Sequence, residues 1–227
     1  MSIIGLSVEV PIASFRMPYA REFAESYEIP PPATVYGMLL SLVGEEDRYR
    51  HIGARVAIAR PANAAPDRSV VLRTFRRIKK KPVSDPTNAR PDFQEILTGI
   101  RLAVWIDSSA EINGVPTLVE RLKIAFSAPE TVQRFGGLSL GESRDLVDAI
   151  SLLPDETVSA EHPFRPGANC QWLEKNDLGS LAMPFWVDHV GSAKTLWASY
   201  DFKEGAVGVP EANCWTSIFP PTTNRRL

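Results

Sequence analysis

Between residues 73 and 81 the chain reads Arg-Thr-Phe-Arg-Arg-Ile-Lys-Lys-Lys, so Arg73, Arg76, Arg77, Lys79, Lys80 and Lys81 place six cations in nine positions. Lys and Arg at that density neutralise phosphates, while Phe75 and Ile78 offer apolar surface between bases. The plain alternative is a solvated positive strand. No acid falls within the nine residues to offset the charge, which favours a nucleic-acid contact.

A second candidate is the run Gly136-Gly-Leu-Ser-Leu-Gly141, flanked by Arg134 and Arg144. Glycines let a backbone approach a sugar-phosphate chain closely. The run lacks the Gly-Lys-Ser/Thr ending of a phosphate-binding loop, so nucleotide hydrolysis is not supported. Taken alone it reads equally well as a plain glycine turn. Arg16 and Arg21 enclose Met17-Pro-Tyr-Ala20 in a third basic stretch, which is equally readable as a solvated surface loop.

Acid–base and covalent chemistry find little footing. There is no Gly-x-Ser-x-Gly and no Cys/His pair close in sequence. Metal-free RNA cleavage needs a general base. Of His51, His162 and His189, only His51, beside Tyr49 and Arg50, is a local candidate. A lone histidine between a helix and a strand is more often structural, so no residue is assigned as catalytic. Cys170 and Cys214 lack Cys-x-x-Cys partners and read as free, buried thiols. No zinc-ligand spacing is present; neither metal nor cofactor is expected.

The chain has 227 residues, 44% hydrophobic and 23% charged, with a net charge of −2. Those values exclude wholesale disorder, and no apolar run reaches the roughly 18–20 residues of a membrane helix. Met1–Val10 lacks the basic flank of a signal peptide, so a cytoplasmic location is expected. The charge is unevenly spread. Residues 73–101 carry eight Lys/Arg against three acids, a net of +5, whereas 141–188 carry three against nine, a net of −6. Such polarity suggests one face for a polyanion and another for a different partner.

These groups need elements to position them. Ile4, Leu6, Val8 and Val10 alternate as a strand. Pro30–Pro32 hold an extended lead-in, Thr34 is the expected N-cap of a short helix carrying Val35, Met38, Leu39 and Leu42, and Gly44 closes it. Arg55–Arg60 reads as a strand. Another begins near Val70 and runs into the basic block, turns through the Pro-rich segment 82–91, and returns toward Ile100–Ile106 as a protruding hairpin. Pro116 and Thr117 open a second helix, and a last strand is expected near Val132–Phe135. The order is β-α-β-β-α-β, that of a ferredoxin-like (RRM-like) fold. The expected division is a domain over 1–145, with its hairpin at about 69–98, and a small β-rich region over 146–227. The five tryptophans are assigned to core or subunit contacts.

The strand followed by Ser14-Phe-Arg16 and Pro30-Pro-Pro-Ala-Thr-Val-Tyr-Gly-Met-Leu-Leu40 resembles the CRISPR-associated Cas-five family. Its members open with a strand, a Phe-Arg loop, and a proline-rich turn into a helix with a Gly-Met-Leu core. Pro91-Asp-Phe-Gln-Glu-Ile-Leu97 is similar to the segment where the family's thumb hairpin returns to the sheet. Arg134-Phe-Gly-Gly-Leu-Ser-Leu-Gly-Glu142 occupies the place of its glycine-containing loop. The likeness covers roughly residues 1 to 145.

The resemblance implies an RNA-binding subunit of a type I CRISPR surveillance complex (Cascade) that caps the five-prime handle of the CRISPR RNA. It implies contacts with the backbone subunit and the large subunit, and with target DNA only through the complex. Carried over, Arg73, Arg76, Arg77, Lys79, Lys80 and Lys81 would be thumb contacts to phosphates. Arg134, Gly136, Gly137, Ser139 and Arg144 would line the handle beside Arg16 and Arg21. One branch of the family cleaves the repeat with a Lys-His pair and a Tyr. No Lys-His neighbour pair occurs here, so a non-catalytic subunit is expected. The alternatives are a metal-independent repeat endoribonuclease and a protein-only scaffold.

Overall fold

The computed structural model describes residues 2–18, 22–77, 81–82, 84–154, 162–188 and 194–221, with 75–77, 86 and 89 described through their backbone alone. Its first strand is β1 (Ile3–Ala13), whose alternation buries Leu6, Val8 and Val10. β1 lies antiparallel to a 19-residue strand, β5 (Ala89–Asp107), from Ile3↔Asp107 to Ala13↔Leu97. On its other side β5 pairs with β3 (Arg55–Pro61), matching Val56 to Ile106 and Ala59 to Ala103. Residues paired across these strands share a face. Val56, Ile58, Leu102, Val104 and Ile106 therefore join one core, and Ala57, Ala59, Ala103 and Trp105 join another. Burial on both faces explains why Arg55–Arg60 reads as an unbroken apolar run rather than an alternating one.

The first core is closed by two helices. α1 (Pro32–Leu42) buries Val35, Tyr36, Met38, Leu39, Leu40 and Leu42. Its start departs from the expected Thr34 cap. Pro31 takes the N-cap without a side-chain bond and Pro32 is the first helical residue, so Thr34 falls inside the first turn. The reason is that N1 needs no N–H, and proline's fixed φ suits it. Gly44, at φ +66°, ends the helix as expected. α2 (Leu118–Ser127) begins at Thr117, whose hydroxyl accepts the Glu120 N–H while the Glu120 carboxylate accepts the Thr117 N–H.

The strand expected near Val132–Phe135 is not there. Residues 132–137 are irregular, with Gly136 in the left-handed region at φ +76°. The strand that follows α2 is instead β6 (Ala149–Leu152), which pairs antiparallel with β1 at Val8↔Ile150. Three later strands, β7 (Asn169–Lys175), β8 (Leu181–Trp186) and β9 (Leu196–Ala206), extend the same sheet beyond β3. With β2 (Phe23–Ala24), β4 (Asp67–Arg77) and β10 (Thr216–Ser217) at its margins, the ten-stranded sheet runs β6-β1-β5-β3-β7-β9-β8. The described residues are thus mixed α and β, with one large antiparallel-dominated sheet and two α-helices.

The second core packs Trp105 on Trp172, ring centroids 4.6 Å apart, with Phe164, Val207, Cys170 and Cys214 around them. Both cysteines are free and buried, and burial pushes each thiol up to about 11. Trp186 is also buried, while Trp197 is 42% exposed. Among the described residues no helix is long and apolar enough to cross a membrane.

Candidate nucleic-acid interface

The basic block lies on a long hairpin. β4 pairs with the first half of β5 from Asp67↔Thr98 to Arg77↔Ala89, while only the second half of β5 runs between β1 and β3. The register slips between Leu72 and Thr74, leaving Arg73 as the extra residue. A bulge of this kind re-aims the side chain it carries. Arg73 Nη2 lies 3.1 Å from Glu142 Oε1, so the bulged arginine joins the hairpin to the glycine-containing loop.

That junction is a closed network. The buried Gln94 donates from Nε2 to Glu142 Oε1 at 3.2 Å and accepts Arg144 Nη2 at 2.7 Å. Arg144 Nη2 also lies 3.1 Å from Glu142 Oε2. Glu142 is held in turn by its backbone N–H, which donates to Asp145 Oδ2 at 2.8 Å. Within the loop, Leu140 N–H donates to Asp145 O and Val147 N–H to Leu138 O, both at 2.9 Å. Gly141, at φ +116°, passes so near Asp145 Oδ2 that a Cβ would stand 2.7 Å from it. Only glycine meets both demands.

Several site residues expected from sequence therefore meet. Arg73 and Arg144 share Glu142. Arg16 is exposed in an isolated bridge to Ser26, next to Phe15, and the preceding Ser14 N–H is bound to Asp145. Ser139 is half-buried opposite Leu146, and Gly137 packs so close to Leu146 that a Cβ would come within 2.9 Å of its Cδ2. Arg134 and Gly136 are exposed at the loop's outer end, where nothing lies within 4 Å of a Cβ built on Gly136. Lys81 is exposed and donates to Thr87 Oγ1 at 2.8 Å. Arg76 and Arg77 stand in register with Arg90 and Ala89, with only their backbone described. Arg21, Lys79 and Lys80 lie outside the described residues.

Sequence reasoning missed the acids that organise this surface. Glu142 and Asp145 belong to the −6 segment, yet here they bind arginines and backbone donors of the basic side. Arg68, at the base of the hairpin, reaches both Glu95, at 3.0 Å, and Glu28. Arg90 lies 3.2 Å from Glu22. The positive charge is thus partly balanced both at the hairpin's base and farther along its return strand. Missed too was an apolar row across three strands, with Leu72 opposite Phe93 and Phe93 opposite Phe23, all exposed. Period-2 alternation past Val70 was its only sequence signal.

His51 lies in the interior, between α1 and α2. It is completely buried; its Nδ1 lies 2.9 Å from Glu111 Oε2 and its Nε2 lies 3.1 Å from Arg121 Nη1. Guanidinium donates only, so Nε2 accepts and Nδ1–H donates to the carboxylate. Arg121 continues to Glu45 and to the Val43 carbonyl, binding α2 to the end of α1. His162 Nδ1 accepts the Phe164 N–H, and His189 lies outside the described residues. Among the described residues no group of three His, Cys, Asp or Glu is arranged to hold a metal ion.

No protein-family model matches the chain. Over 197 residues it is 45% identical to "CRISPR-associated protein Cas5" of Myxococcus xanthus (strain DK1622), covering 86% of this chain and 87% of that protein. Its fold is similar to a solved chain titled "CRISPR RNA-guided surveillance complex", with a TM-score of 0.57 and 13% identity over 93% of this chain and 92% of that one. A second solved chain, titled "Crystal structure of Cas protein", aligns at a TM-score of 0.50 and 14% identity, covering 90% and 94%. Those two share the architecture; the Myxococcus relative shares the sequence as well. By that kinship this chain belongs to the CRISPR-associated Cas5 family.

Proposed function

We propose that this protein is a non-catalytic, RNA-binding subunit of a type I CRISPR surveillance complex, gripping the five-prime handle of the CRISPR RNA. The observation that carries the reading is the junction at Glu142, where the basic hairpin and the glycine-containing loop meet through Arg73, Arg144 and Gln94. Two basic elements distant in sequence thereby form one surface, as a single RNA segment requires. The β6-β1-β5-β3 order, with α1 between β1 and β3 and α2 between β5 and β6, supports reading the N-terminal part as a ferredoxin-like unit carrying an inserted hairpin. The exposed Leu72–Phe93–Phe23 row gives the hairpin apolar surface for a neighbouring backbone subunit, and other faces serve the large subunit. Contact with target DNA runs through the assembled complex, in the cytoplasm. The burial of His51 between Glu111 and Arg121 supports a binding role over repeat cleavage.

The test is a titration of labelled repeat-derived handle RNA at two salt concentrations, each sample also run on a denaturing gel, with the chain co-assembled with its partner subunits. Handle-preferring, salt-sensitive binding of intact RNA is expected. Cleaved RNA would establish an endoribonuclease instead, and assembly indifferent to RNA would establish a scaffold.

A further inference from the structure

Phe135 is 97% exposed, and its setting is built rather than loose. The loop that carries it is clamped at both ends. Before it, the Gln133 carbonyl rests against Gly44 so closely that a Cβ there would collide with the oxygen, and Val132 packs on the core. After it, Leu138 is buried and its carbonyl accepts the Val147 N–H at 2.9 Å. Gly136, at φ +76°, turns the backbone between these clamps.

At the tip, Phe135 overhangs a groove of about 370 Å³ on α1, lined by Gly37, Ser41, Arg48 and Arg134 among others. Glu45 and Glu46 share that rim, but Glu45 is already engaged by Arg121 and Arg50. A lone exposed aromatic is unremarkable on a protein surface. This one stands beside an exposed arginine and an unobstructed glycine, on the loop whose other end joins Arg73 and Arg144. A cation for phosphate, backbone open to close approach, and a flat apolar ring are the three parts of a single-strand binding site.

We propose that Phe135 is a stacking platform, on which one nucleobase of the bound RNA lies while Arg134 contacts an adjacent phosphate. The inference rests on the RNA-binding reading above and adds a base-contacting residue to it. Stacking accepts any base, so Phe135 adds affinity and fixes strand position without reading sequence.

The experiment uses the assembled complex and repeat-derived single-stranded RNA with 2-aminopurine placed at successive positions. For the native chain, one position is expected to lose fluorescence on binding as its base stacks. F135A should weaken binding by about tenfold and abolish that change, leaving the salt dependence as it was, whereas F135W restores both. R134A should instead lower the salt slope by about one unit. Native binding with unaltered affinity and fluorescence in F135A overturns the platform but leaves the RNA-binding function intact. A native complex that binds no RNA overturns both. If F135A keeps RNA binding but sheds a protein subunit, Phe135 is a protein contact and the platform is overturned.

Discussion

Asp145 reaches back across 131 residues of the chain to Ser14, its Oδ2 accepting the Ser14 backbone N–H at 3.1 Å. The same oxygen takes the Glu142 N–H at 2.8 Å, and the carboxylate is almost wholly buried. One side chain therefore fastens the glycine-containing loop both to itself and to the strand leading into Arg16. Asp145→Ala leaves two backbone donors without their acceptor and should lower stability by about 2–3 kcal/mol, read from denaturant unfolding. Asp145→Asn keeps an acceptor oxygen but no charge and should fall roughly midway. Equal stability of all three proteins would show that the loop is held elsewhere.

On the RNA-binding reading proposed above, Glu142 acts in two directions. It lies 3.1 Å from both Arg73 and Arg144, so it orients the two guanidinium groups while cancelling part of their charge. Glu142→Gln preserves the shape and removes the negative charge. Handle RNA should bind several-fold more tightly at low salt, with the salt slope steeper by about one to two, as two arginines become available to phosphate. Weaker binding would mean that holding the arginines in place matters more than the charge they gain.

How much of this was legible beforehand follows from what each pattern encodes. Alternation in β1 and the opening of a helix at Thr117 are local, and both read directly from the residues. The hairpin was also legible, because a basic run followed by turn residues has few other uses. The strand expected at Val132–Phe135 failed because its apolar residues do different jobs. Val132 packs on the core while Phe135 points to solvent, and Gly136 turns the chain before a strand can form. Thr34 misled because a good capping residue was outcompeted by prolines that suit the first helical turn. The organising acids were invisible for a different reason. Glu142 and Asp145 act through partners on remote segments, and a charge count along the chain assigns them to the wrong side.

His51 offers a test that separates a structural from a chemical role. Its two ring nitrogens join Glu111 to Arg121, yet Glu111 also accepts the Leu118 N–H at 3.1 Å and Arg121 also holds Glu45. Removing the imidazole thus leaves Glu111 with the Leu118 N–H and Arg121 with Glu45 and the Val43 carbonyl. His51→Ala should cost about 2 kcal/mol of stability, from the lost bonds and the space vacated. The yield of mature guide RNA per assembled complex should be unchanged. Full stability with loss of mature guide would assign His51 to RNA processing.

Asp107 closes the strand pair that supports the whole sheet, standing opposite Ile3 of β1 and Arg55 of β3. Burial alone would raise its carboxyl. The Ser109 backbone N–H and hydroxyl, at 2.8 and 2.9 Å, and the Arg55 guanidinium outweigh that and hold it below the ordinary 3.8. A carboxyl lowered on folding adds stability that is complete above its unfolded value and lost as the pH falls through its folded value. Asp107 should therefore stabilise the protein fully at pH 7 and progressively less below about 3.8. Asp107→Asn keeps the shape without the charge and should lower stability at pH 7 by on the order of 2 kcal/mol. The Arg55 share of that is small, because its side chain is 36% exposed and partly screened. Urea midpoints of the two proteins, compared at pH 7 and pH 3, should converge in acid. A gap that stays constant over that range would show that the carboxylate's charge does not hold these strands.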